Sequence, residues 1–516
     1  MAAVAAGRAG QRVVLLEPSQ YLGGALSGGL GMADYGVHAS RVLGGQAAEF
    51  FQRIAQKYGV PFSFPPDNQC SEHHVPWVSE PHVAEEVLTE MLADANVTVM
   101  LDSRVVSVAK TTFVAFADGP SIRSATTARG NDIVAAVYID GTYEGTLLKL
   151  SGVSFTFGRE ANTTYNESAA GRLPGPAVPH WPHGDRAAQL PRGINPFTDE
   201  HNTTLIPGVW GGDVAPVGGA DARVGSYDWR LTLTDVPNNS LPIPEPSSYD
   251  PSEFEIVRRA LAAGWKTSGP SIGVPNRKTD WKAFGLFGER PNAQWEFPNA
   301  TWERQQEIIR EYKQYILRLI RFFKTDSSVP AALQQKVASF GLCRDEFNRS
   351  GHFNYQLYVR SALRMVGSRV LTQQDVVTTT WIPDPDTIGL GAYTVDIPGP
   401  VQIIVEQGEV VSEGALKVPY FCDPQLAPFA LPFQIMLPKK GEVANLIVPV
   451  AVSASHIAFN SIRMEPTWMI LGQSAGVAAA IFVSEAVSTV RNINVSDLRA
   501  KLKEAGQVLE PRKTLN

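Results

Sequence analysis

The feature that most constrains this chain is its opening, MAAVAAGRAGQRVVLLEPSQYLGGALSGGLG. Small residues from Ala2 to Ala9 read as a helix closed by Gly10, and Val13 to Leu16 read as a short strand ending on Glu17. A helix, a strand and an acid in that order make the second half of a dinucleotide-binding unit, whose acid binds a ribose hydroxyl. The first half is a strand and a G-x-G-x-x-G loop, in which glycines let a pyrophosphate approach the helix N-terminus. Neither stands ahead of Ala2. The expectation is an open α/β sheet read without its first strand and phosphate loop.

Downstream segments agree with such a sheet. Gly23, Gly24, Gly28, Gly29 and Gly31, with Ser27 among them, form a loop suited to lie against a ligand. Helices are expected from about Gly44 to Tyr58 and from about His82 to Ala95. VTVMLDSRVVSVAK reads as two β-rich pieces around a turn. Ile133 to Ile139 reads as a strand with Asp140, Gly141 and Thr142 at its C-terminal end, where open α/β sheets bind ligands. From Phe155 the texture turns to Pro, Gly, Trp and Asn, broken by the amphipathic helix TWERQQEIIREYKQYILRLIRFFK. Nucleotide-fold texture returns near Lys417, with the strand and loop NLIVPVAVSASH and the small-residue helix LGQSAGVAAAIF. A chain of 516 residues exceeds the usual single-domain size. The expected division is a nucleotide-binding part at 1–154, an inserted α+β substrate domain at 155–415, and the returning part at 416–516.

Together these pieces resemble the FAD-dependent oxidoreductase family, within the group sharing the glutathione-reductase type of FAD domain. The resemblance is carried by EPSQYLGGALSGGLG, YIDGTYEGTLLKLSGVSFTFGREANTTYNESAAG, CRDEFNRSGHFNYQLYVRSALRMVG and LPKKGEVANLIVPVAVSASHIAFNSIRMEPTWMILGQSAGVAAA. It implies a discontinuous Rossmann-like FAD/NAD(P)-binding domain and FAD as cofactor. Glu17 matches the ribose-binding acid. Gly23, Gly24, Ser27, Gly28 and Gly29 match the loop beside the pyrophosphate and flavin. Val105 or Val106 matches the strand against adenine, and Asp140 and Gly141 match the strand end closing over the cofactor. The turn from Gly472 through Ser474 to Gly476 matches a helix start whose dipole faces the flavin. The implied reaction is hydride removal from a small organic substrate to flavin. Two departures accompany the match: the phosphate loop is absent, and the last strand continues PVAVSASH where many relatives have Gly-Asp. The chain is accordingly expected to be an incomplete gene product that binds FAD weakly when made alone. A non-catalytic secreted binding protein, or a remnant without cofactor, stays open beside the enzyme.

Candidate catalytic groups are His456 near the flavin and Arg463 as an anchor for a substrate carboxylate. His456 reads equally as a structural histidine, while Arg463 with Glu465, and Arg159 with Glu160, read better as buried ion pairs than as substrate anchors. Ser453, Ser455 and His456 lack the glycines of a hydrolase elbow. His180, His183 and Asp185 offer three metal ligands without a fourth, so no metal site is expected. Cys70, Cys343 and Cys422 are too far apart for a zinc pattern and read as thiols, with one disulfide as the alternative. The apolar run from Trp468 to Val483, interrupted by Gln473, is short for a membrane span and reads as a buried helix.

Composition bears on partners and compartment. A formal charge of -6 with no basic tail argues against nucleic acid. Glycosylation triplets start at Asn96, Asn162, Asn166, Asn202, Asn238, Asn299, Asn348 and Asn494. Random placement of about twenty asparagines would give about two or three. The excess points to the secretory pathway, with a signal peptide expected ahead of Met1; a cytoplasmic protein with chance triplets is the alternative.

Overall fold

The computed structural model describes all residues except 37, 66–74, 112–118, 175–188, 200, 202, 398, 419–424 and 514–516. Cys70, Cys422, His180, His183, Asp185 and Asn202 lie outside the described residues.

The N-terminal part follows the sequence pattern closely. Helix α1 (Ala2–Arg8) leads into strand β1 (Val14–Leu16). Helices α2 (Gly45–Lys57) and α3 (Pro81–Asp94) come next, then β2 (Thr98–Met100), which pairs in parallel with β1. Strand β3 (Val105–Thr111) turns back on β4 (Ser121–Thr127) in an antiparallel ladder. The expected strand from Ile133 to Ile139 is two short pieces, and only β5 (Tyr138–Ile139) belongs to a parallel ladder. Its partner is Leu446–Ile447, more than three hundred residues downstream. β1–β2 and β5 with Leu446–Ile447 are separate two-stranded parallel sheets.

Two large cores organise the packing. One gathers α1, α2 and α3 with the C-terminal segments around Ile457, Leu471 and Leu498. The other forms around the long helix α4 (Trp302–Thr325), started by Thr301, whose hydroxyl accepts from the Arg304 amide. Ile308, Tyr312, Ile316, Leu319 and Ile320 are buried along it as the period predicts, while Ile309 is half-buried. Val395–Ile397 and Leu416–Val418 form one antiparallel ladder across the boundary expected at 415. Ile388, Leu390, Val395 and Ile397 also pack into the first core.

The C-terminal region holds the most buried helices. Helix α5 (His456–Ile462) is buried along its length, and α6 (Glu465–Ser484) follows at once. By length and composition α6 could cross a membrane, yet most of it is packed inside the protein. Its glycines explain how. A Cβ on Gly476 would lie 2.2 Å from the Ala2 carbonyl oxygen, and one on Gly472 would lie 3.1 Å from Met1. Both glycines therefore let α1 lie directly against α6.

Candidate active site

The glycine loop after β1 is held by protein on every side. Gly23, Gly24 and Gly29 have positive φ, which accounts for glycine there. The Tyr355 hydroxyl donates to the Gly24 carbonyl at 3.1 Å and lies 2.8 Å from the Ser27 hydroxyl. Asn354 donates through Nδ2 to the Gly28 carbonyl at 3.2 Å, and Gln356 fills the space a Cβ on Gly28 would need. Tyr21 stacks on Tyr355 at 4.1 Å. The segment HFNYQLY is thus a clamp on the loop, a role that sequence reading did not assign.

Beyond the loop, three chain segments meet. Tyr143, just after β5, accepts from the Ala25 amide at 3.0 Å and packs against Trp468 with ring centroids 5.2 Å apart. Trp468 stands in the first turn of α6, beside Glu465 and next to Arg463 at the end of α5. Arg463 donates to the Asn460 side chain, the Tyr358 hydroxyl and the Asp396 carbonyl, and pairs with the Asp396 carboxylate at 3.4 Å. The Tyr393 hydroxyl lies 3.3 Å from Asp34 and 3.4 Å from Asp396, with its one proton shared between them. Arg230 pairs with Asp280 at 3.3 Å and Asp228 at 3.8 Å, and lies 6.0 Å from the Tyr358 ring. Its side chain keeps 21 % of its surface accessible.

The electrostatics of this seam favour protonated acids. Burial pushes the Glu465 carboxyl up to about 7, with Arg463 opposing and Asp34 adding to the rise. Burial likewise raises Asp280 to about 6 and lifts Asp34, which also feels Asp396. Glu465 is only 5 % accessible, and its Oε1 has no hydrogen-bond partner among the described residues. The indole nitrogen of Trp468 has none either. An unpartnered buried polar atom costs about 1–3 kcal/mol, so both atoms are left available to a group brought into the seam.

Other residues singled out from the sequence sit elsewhere. Glu17 follows β1, half-buried, with Oε1 accepting from the Ser19 amide at 2.8 Å; burial raises its pKa. Val106 lies in β3. Asp140 is a buried turn acid whose oxygens accept from Thr142 and from the Leu148 amide. Gly141 is exposed, with open space where a Cβ would stand. The expectation that Gly472, Ser474 and Gly476 open a helix is corrected: they lie inside α6, about two to three turns beyond its start at Glu465. Ser474 is tied to the Ile388 and Ile470 carbonyls and to Gln507. The dipole end of the helix is therefore at Glu465, beside Tyr143 and Trp468.

The two expected ion pairs are also rearranged. Arg463 pairs with Asp396 and not with Glu465. Arg159 pairs with Asp221 and Glu413, while Glu160 binds Arg364 at 2.5 Å and the His456 ring at 3.1 Å. His456 is 5 % accessible, its Nδ1 faces Glu160, and its Nε2 has no partner among the described residues. Burial lowers its pKa. Seven residues separate it from Arg463, about 10 Å along a helix.

A cofactor of the FAD type fits this arrangement at the flavin end. The unpartnered Trp468 and Glu465 atoms, the Tyr143 ring and the start of α6 supply donor, acceptor, apolar wall and positive dipole. Glu17 and Gly141 follow the C-terminal ends of β1 and β5. The loop glycines, filled by protein side chains, serve close packing. One acid-rich set, Glu80, His82 and Glu346, has metal-like spacing. The buried Lys278 ammonium already sits on it, 2.6 Å from Glu80, 2.7 Å from Glu346 and 2.8 Å from Asp345.

No curated protein shows a significant match. The solved structures it resembles include THI4 of Thermovibrio ammonificans, at 16 % identity and TM-score 0.22 over 31 % of this chain and 60 % of that one. The Diels-Alderase PyrE3 matches at 18 % identity and TM-score 0.24 over 55 % and 52 %. OxyS anhydrotetracycline hydroxylase from Streptomyces rimosus matches at 15 % identity and TM-score 0.19 over 34 % and 36 %. The chain spans between about a third and 60 % of the first structures it matches. The family model described as FAD dependent oxidoreductase matches residues 1–502. The chain belongs to that family, and FAD is its cofactor.

Proposed function

We propose that the chain oxidises a small organic substrate by hydride transfer, and that Glu465 takes the accompanying proton. The observation that carries this reading is the Glu465 carboxyl itself: buried, unpartnered at Oε1 and held near a pKa of about 7. A general base works best when its pKa lies near the working pH. FAD, when bound, supplies the hydride acceptor. Trp468 and Tyr143, with ring centroids 5.2 Å apart, stand beside Glu465 as an apolar wall. Arg463 has its donors committed to Asn460, Tyr358 and Asp396, so it positions those groups rather than gripping a substrate carboxylate.

His456 supports a second reading. With Nδ1–H donated to Glu160, its neutral ring leaves Nε2 as a free acceptor, the orientation of a carboxylate-held base. The two readings separate by mutation. Reduction of the FAD-loaded protein by a panel of small alcohols, hydroxy acids and amines is followed by flavin absorbance. Glu465→Gln is expected to slow reduction about 10²- to 10⁴-fold, the range for a lost general base. His456→Asn is expected to leave most of the rate. The reverse pattern transfers the role to His456, and full activity in both variants refutes it for either.

A further inference from the structure

The asparagines of this chain fall into two chemical classes, and the division follows the glycosylation triplets. Seven triplet asparagines are described: Asn96, Asn162, Asn166, Asn238, Asn299, Asn348 and Asn494. All seven are exposed, and none lies inside an α-helix or a β-strand. Asn96 and Asn166 sit in left-handed turns, Asn299 and Asn348 in single 3₁₀ turns, and Asn494 caps the helix Val495–Glu504 through its oxygen. None donates a hydrogen bond through Nδ2 to a described residue.

The nine described asparagines outside triplets behave differently. Asn239, Asn276, Asn292, Asn354, Asn445, Asn460 and Asn492 each donate through Nδ2 to protein. Only Asn131 and Asn195 do not. Asn354, Asn445 and Asn460 are buried. The nitrogen that a glycan would occupy is thus free at every described triplet and engaged at most other sites. Proline, abundant in this chain at 37 residues, occupies neither the middle nor the following position of any triplet.

We propose that these seven asparagines carry N-linked glycans in the native protein. In the transfer, Nδ2 forms a bond to the anomeric carbon of an oligosaccharide supplied on a polyprenyl diphosphate. The bond from that carbon to the diphosphate oxygen breaks, the lipid diphosphate leaves, and the amide gives up one proton. No redox partner is needed. The fold leaves room for sugar at these sites because each residue is exposed and no Nδ2 is engaged by a described residue.

Peptide mapping of the protein recovered from its native cells tests this directly. Glycan is expected at most of the seven sites, each converted to aspartate by an amidase-type glycosidase. Seven unmodified asparagines would overturn the proposal. A control tests the structural basis. Gln356→Ser creates a new triplet at buried Asn354, whose Nδ2 donates to Gly28 and Thr232. Made in bacteria, this variant is expected to fold; passed through a eukaryotic secretory host, its Asn354-glycosylated form is expected not to. A folded chain bearing sugar at Asn354 would show that accessibility of Nδ2 does not decide the pattern.

Discussion

At the scale of single residues, the seam concentrates acids that are costly to ionise. An acid whose folded pKa exceeds its unfolded value binds an extra proton in the folded state between the two. Stability therefore falls as pH rises through that window. For Glu465 the window runs from 4.5 to about 7, and for Asp280 from 3.8 to about 6. The Glu465 term alone is on the order of 3 kcal/mol. The melting temperature is expected to be higher at pH 5 than at pH 8, and Glu465→Gln is expected to flatten that slope. A melting temperature that rises across the same range would contradict the assignment. Catalysis runs the other way: substrate oxidation is expected to increase with pH through about 7 as Glu465 ionises. Glu160 behaves oppositely in stability. Its pairing with Arg364 and His456 holds its carboxyl well below the usual range, although burial opposes this. Removing one partner of a buried pair costs about 3–5 kcal/mol, so Glu160→Ala is expected to unfold more readily in urea, and Glu160→Gln less so.

At the scale of elements, the sequence made some features legible and hid others for physical reasons. Periodicity located α2, α3 and α4 to within a residue or two, because each has one wet face and one buried face. Asp140 and Gly141 were placed at a strand end, where they are found. Gly472 and Gly476 were misread because small residues admit a cofactor and a neighbouring helix equally well. The better signal for the helix start was Pro466, which fits the first turn, just after Glu465. The clamp at Asn354 and Tyr355 had no periodic signature, since it acts through single side chains across the fold. The contact between α1 and α6 is open to test. Gly476→Ala places a methyl group against the Ala2 backbone, and overpacking of this kind costs about 1–3 kcal/mol. A lower denaturation midpoint is expected for that variant, with little change for Gly141→Ala, where the added carbon meets open space. Equal effects from the two would argue against the packing role.

At the scale of the whole molecule, the parallel ladders of β1 and β5 and the start of α6 come from distant parts of the chain. β5 is completed only by Leu446–Ile447, and Trp468 reaches Tyr143 across more than three hundred residues. A site assembled this way depends on the full chain being folded. The central claim is that FAD binds with its flavin beside Tyr143, Glu465 and Trp468. The most direct measurement is a titration of the full chain with FAD, followed by flavin fluorescence. Saturable binding is predicted, at the weak affinity expected without a phosphate loop and with strong quenching, since an indole against the flavin quenches its emission. Trp468→Leu, folded by circular dichroism, is predicted to bind FAD with much of that emission restored. Saturable binding with quenching unchanged in Trp468→Leu would place the flavin elsewhere, and no saturable binding by the folded chain would contradict the account.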